Sequence, residues 1–69
     1  MKLRNRLDRI MRETGVSTRE LAAATGLDKN TITEIRNERQ TRRDEAYVRI
    51  CEYFGIRIEE LLYLEDEND

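Results

Sequence analysis

Lys29, Asn30, Thr33 and Glu34 bring an ammonium, a carboxamide, a hydroxyl and a carboxylate together at helical spacing, and Arg39, Arg42 and Arg43 follow at once. These groups recognise by hydrogen bond and charge. Nothing beside them makes or breaks bonds: the chain has no histidine, which excludes Ser-His, Cys-His and histidine-ligated metal chemistry. The single cysteine, Cys51, falls on an apolar helical stripe without a base and reads as core. Glu59 and Glu60 lack the residue order of a calcium loop, and Gly15, Gly26 and Gly55 are dispersed one to a helix end, not gathered into a phosphate cradle. The sequence therefore implies a binding protein, not an enzyme, with no cofactor, metal or small-molecule substrate.

The elements that must position these residues follow from apolar spacing and end signals. Leu3, Leu7, Ile10 and Met11 form one stripe of a first helix that Gly15 ends. Ser17 stands three residues before Glu20, the pattern in which each side chain satisfies the other's backbone donor, so a second helix starts there and Gly26 closes it. Asp28 caps a third helix that buries Ile32 and Ile35 and turns Lys29, Asn30, Thr33, Glu34 and Asn37 outward. From Asn37 to Arg43 no apolar residue occurs, which predicts a loop. Thr41 offers the cap of a fourth helix carrying Tyr47, Val48, Ile50, Cys51 and Phe54. Ile58, Leu61, Leu62 and Leu64 suggest a short fifth. There is no proline and no period-two alternation of any length, so the expected fold is all-α, a bundle of about five short helices over residues 1–64. Residues 65–69, nearly all acidic, read as a frayed tail.

Sixty-nine residues make at most one domain, close to the lower limit for folding on a core without staples. A lone cysteine forms no internal disulfide and points to a reducing compartment, the cytoplasm. No run is apolar enough to span a bilayer and none follows the basic N-terminus as a leader, so neither membrane nor export is expected.

Residues 17–37 supply a bracing helix, a tight turn and a polar second helix, the parts of a helix-turn-helix. Here the chain resembles the lambda-repressor-like, Cro-like DNA-binding domains, also called the XRE family. The matching stretch is GVSTRELAAATGLDKNTITEIRN, residues 15–37, followed by FGIRIEELL, residues 54–62, as the closing helix. The resemblance implies that Lys29, Asn30, Thr33 and Glu34 face the bases, where lysine suits guanine, asparagine adenine and glutamate the amino group of cytosine. It also places Thr18, Arg39, Arg42 and Arg43 against the phosphate backbone. Thr18 stands where the family usually has a longer glutamine. Such domains bind as dimers, and Leu61, Leu62, Tyr63 and Leu64 offer apolar surface either to a two-fold contact or simply to the core.

Two positions depart from the family. Where it pairs an arginine late in the first helix with a glutamate late in the third, this chain has Met11 and Arg36, so an apolar contact is expected in place of the pair. Where it has a glycine after Asn37, this chain has Glu38, which either holds a left-handed turn in strain or abandons it, and whose charge would repel phosphate.

The net charge of -2 looks wrong for a partner as acidic as double-stranded DNA. Counted by region it does not: residues 1–43 hold eleven Lys/Arg against six Asp/Glu, net +5, and residues 44–69 hold two against nine, net -7. A phosphate feels the field within about 10 Å, so an acidic end facing away weakens binding little. The leading expectation is a sequence-specific transcriptional regulator of prokaryotic or phage repressor type. The alternative is an adaptor or antirepressor that keeps the fold and docks a protein on its acidic end.

Overall fold

The computed structural model describes residues 1–39 and 44–66. Five helices form among them, α1 (Leu7–Thr14), α2 (Thr18–Thr25), α3 (Lys29–Arg36), α4 (Asp44–Phe54) and α5 (Ile58–Leu61). The all-α expectation is corrected at both ends of the chain. Lys2–Asn5 is a strand, β1, and Leu62–Glu65 another, β2, paired antiparallel with Lys2 opposite Glu65, Leu3 opposite Leu64, Arg4 opposite Tyr63 and Asn5 opposite Leu62. Each strand has four residues, too few to display a period of two, and its partner lies at the far end of the sequence.

The sheet moves two helix boundaries. Leu3, expected on the α1 stripe, is in β1 and 54% exposed. The helix starts at Leu7 because the N–H of Arg6 donates to the carbonyl of Leu61 (2.8 Å) and Asn5 Oδ1 accepts from the N–H of Leu7 (3.0 Å). At the other end α5 stops at Leu61, and extended backbone at Leu62 (φ -108°, ψ 144°) leads into β2. Leu64 is thus in a strand. Glu65, assigned to the tail by sequence, is the last residue of β2, and residues 67–69 lie outside the described residues.

Leu7, Met11, Leu21, Ile32, Ile35, Ala46, Ile50, Cys51 and Leu61 form the buried core, so each helix contributes at least one residue. Burying one such aliphatic side chain fully contributes about 1.5–3 kcal/mol, and in a domain this small few can be spared. Ala46 packs one turn before Ile50 on the same face of α4, while Val48, expected in the stripe, is 52% exposed. Leu61 is wholly buried. Of the two roles open to it, closing the core is the one it fills, and it is withdrawn as a dimer contact.

Candidate nucleic-acid interface

Helices α2 and α3 are joined by Gly26, Leu27 and Asp28, and each local signal in the sequence has its counterpart in space. Ser17 Oγ accepts from the N–H of Glu20 (3.1 Å) while Glu20 Oε1 accepts from the N–H of Ser17 (3.0 Å), so the capping box closes. Hydrogen bonding from the Ser17 backbone first, and from its side chain second, holds the Glu20 carboxyl below its usual range. Gly26 ends α2 at φ 76°, and its N–H donates to the carbonyl of Ala22 (2.9 Å). A side chain there would need the left-handed conformation that L-residues avoid, and its Cβ would lie 3.4 Å from Arg49 Nη1. That guanidinium donates to the carbonyl of Thr25 (3.2 Å), so α4 fastens the turn from behind. Asp28 Oδ1 then accepts from the N–H of Asn30 (3.0 Å) and starts α3.

Helix α3 divides cleanly into two faces. Ile32 and Ile35 are buried at 0% and 3% exposure, whereas Lys29, Asn30 and Thr33 are exposed and Glu34 is half-buried. The four candidates are therefore together on the outer side of a helix whose inner side is anchored in the core. Among the described residues no protein hydrogen bond engages the carboxamide of Asn30, whose backbone N–H alone is used by the cap. Thr18, the first residue of α2, is half-buried, and Arg39 is exposed just beyond α3. Thr41, Arg42 and Arg43 lie outside the described residues.

Both departures noted in the sequence prove to be ion pairs. Met11 is in the core, and the guanidinium of Arg36 is engaged elsewhere. Its Nε and Nη2 donate instead to Asp8 Oδ1, the first at 2.9 Å, and its Nη1 donates to Thr18 Oγ1 (3.0 Å). The expected apolar contact is thus corrected: an aspartate one turn earlier than Met11 in α1 meets the arginine of α3. Hydrogen bonding from Arg36, reinforced by the charges of Arg12 and Arg36, outweighs partial burial and lowers the Asp8 pKa. Asp8 Oδ2 also accepts from Arg12 Nε (3.0 Å).

Glu38 holds the left-handed turn at φ 57° without glycine. Its carboxylate accepts from Arg4 through Nε and, at 2.7 Å, through Nη2, so the charge expected to repel phosphate is largely neutralised. Arg4 Nη1 reaches Glu65 on β2 as well. Asn5 Nδ2 donates to the carbonyl of Ile35 (2.9 Å), giving the last turn of α3 a second tie to β1. Asp8, Arg4 and Asn5 were not among the residues singled out from sequence. The charge of Arg36 was a signal for Asp8, but the strand contacts had none.

Burial first, and then the charge of Glu60, raise the pKa of the Cys51 thiol, which suppresses the reactive thiolate. Among the described residues no group of three His, Cys, Asp or Glu is placed to hold a metal, and no helix is long and apolar enough to cross a membrane.

Solved structures of similar shape exist. A crystal structure from Bacteroides fragilis, of a protein provisionally described as DNA-binding, superposes with a TM-score of 0.78 at 21% identity, over 90% of this chain and 100% of that one. A transcriptional regulator from Listeria innocua superposes with a TM-score of 0.69, also at 21% identity, over 96% of this chain and 67% of that one. At such identities the likeness speaks for the fold. A search among curated proteins gives no match. The family profile of the Cro/C1-type HTH DNA-binding domain aligns with residues 6–67, taking in the capped α2, the glycine turn and the two-faced α3. With nearly its whole length so matched, and with the bracing helix, turn and polar outer helix assembled as that family requires, this chain belongs to the Cro/C1-type helix-turn-helix DNA-binding domains.

Proposed function

We propose that the protein is a sequence-specific transcriptional regulator of prokaryotic or phage repressor type, acting in the cytoplasm by occupying an operator. The observation that carries this reading is the division of α3: Ile32 and Ile35 fix it in the core while Lys29, Asn30 and Thr33 stand exposed on its outer side. In the major groove Asn30 would pair its carboxamide with adenine N6 and N7, Lys29 would donate to guanine, Glu34 would accept from cytosine N4, and Thr33 would serve either base. Thr18, Arg39, Arg42 and Arg43 would set the register on phosphate without reading sequence. One recognition helix reads few base pairs, so a dimer on two half-sites about one helical turn apart is the expected assembly. With Leu61 withdrawn, its contact falls to β2, to Tyr63 and to Leu64, which is 63% exposed opposite Leu3. We take residues 1–65 as the DNA-binding unit, one residue beyond the boundary expected from sequence, because Glu65 closes the sheet.

Selection from random duplex pools, followed by binding titrations across salt, tests this. The expected result is a symmetric site, a steep fall of affinity with salt, and for Asn30→Ala a loss of about 1–3 kcal/mol of discrimination at one base pair in each half-site. A folded protein that binds no duplex at low salt would sink the proposal and leave the adaptor or antirepressor reading in its place.

A further inference from the structure

Arg36 joins three helices at one point. From α3 its Nε and Nη2 engage Asp8 on α1, and its Nη1 donates to Thr18 Oγ1 at the start of α2, 3.0 Å away. A threonine hydroxyl has one proton and two lone pairs; when an N–H takes a lone pair, the proton must point elsewhere. Among the described residues no protein acceptor receives the proton of Thr18, which is half-buried at the positive end of the α2 dipole. Asp8, which Arg12 also engages, accepts from Arg36 Nε and Nη2, so those two donors are turned inward to the protein.

We propose that Arg36 is a positioning residue for DNA binding: by occupying the acceptor side of Thr18, it fixes that hydroxyl as a donor directed away from the protein at a backbone phosphate. The proposal rests on the DNA-binding reading and adds to it a residue with no direct contact to DNA. Charge does not carry the effect; the direction of one hydroxyl proton does. It follows that loss of the effect weakens binding to any sequence equally and leaves the salt dependence unchanged. An arginine that itself neutralised a phosphate would instead lower the slope of log K against log salt by about 0.9 when removed.

The test is a double-mutant cycle of Thr18→Val and Arg36→Met, which removes both the donors and the charge, with Thr18→Ser as the conservative variant. Binding to the selected duplex and to one random-sequence duplex is measured across salt, and thermal melting on the same samples. Thr18→Val should bind both duplexes about tenfold more weakly, the size of one hydrogen bond to an ionised group, with wild-type slope and melting temperature, and Thr18→Ser should bind as wild type. Arg36→Met should weaken binding in the wild-type background, with the wild-type salt slope, and add nothing further in the presence of Thr18→Val. Wild-type affinity in Thr18→Val, additive losses in the cycle, or a slope reduced by about 1 in Arg36→Met would each overturn the proposal in a protein that binds DNA. A wild-type protein that binds neither duplex overturns the DNA-binding reading together with this one.

Discussion

Arg4 and Glu38 join the first strand to the exit of the recognition helix by a two-pronged ion pair, with Arg4 Nη2 2.7 Å from Glu38 Oε2 and Arg4 Nε on Oε1. The pair is half-buried and its arginine is shared with Glu65 of β2, so the sheet and the end of α3 are held by one guanidinium. Fork-to-fork geometry of this kind fixes direction as well as distance.

Glu38 sits at φ 57°, where a side chain is disfavoured by about 1–2 kcal/mol. Glu38→Gly removes the ion pair and the strain together, whereas Glu38→Ala removes the pair and keeps the strain. The glycine variant should therefore be the more stable of the two by about 1 kcal/mol in urea unfolding. Equal midpoints would show that the turn relaxes in solution.

Acid should unfold the protein through three carboxyls. Hydrogen bonds from Arg36 to Asp8, from Arg4 to Glu38 and from Ser17 to Glu20 make each more acidic in the folded chain than its ordinary value of 3.8 for Asp8 and 4.5 for the glutamates. The unfolded chain thus binds more protons than the folded one as pH drops below about 4.5, and stability falls through the depressed folded values. Urea midpoints taken from neutral to strongly acidic pH should be flat at first and then decline. Glu38→Gln and Asp8→Asn should lie below wild type at neutral pH and converge on it in acid; a constant gap would refute the linkage.

Gly26→Ala places a side chain at φ 76° with its Cβ 3.4 Å from Arg49 Nη1. A loss of about 1–2 kcal/mol is expected, most of it from the backbone, since the far end of an arginine can move. In an Arg49→Ala background, which itself lacks the bond to Thr25, the added cost of Gly26→Ala should be only slightly smaller, as a thermal denaturation series can show.

Leu61 and Leu64 lie three residues apart and should behave oppositely. Leu61→Ala empties a fully buried site and should cost about 2–5 kcal/mol at any protein concentration. Leu64→Ala, at a residue 63% exposed, should change monomer stability by less than about 0.5 kcal/mol and show its effect as weaker self-association in sedimentation. A strongly destabilised Leu64→Ala monomer would place that side chain in the core after all.

The sequence by itself determined what depends on neighbours in the chain. Ser17 with Glu20, Gly15, Gly26 and Asp28 marked helix ends that the structure has, because caps and left-handed turns are decided within a few residues. Ile32 and Ile35 marked the inner face of α3 by spacing alone, which set the polar candidates on its outer side. Tertiary structure decided what depends on partners far apart. Leu3 and Leu64 fit a helical stripe locally, but β1 and β2 gain backbone bonds only by meeting across the whole chain, so both residues are in strands. Arg36 and Glu38 looked like losses relative to the family, and Met11 like the replacement for a charge pair. Asp8, Thr18 and Arg4 supply the missing partners, because an ion pair needs its two charges close in space and places no demand on their separation in sequence.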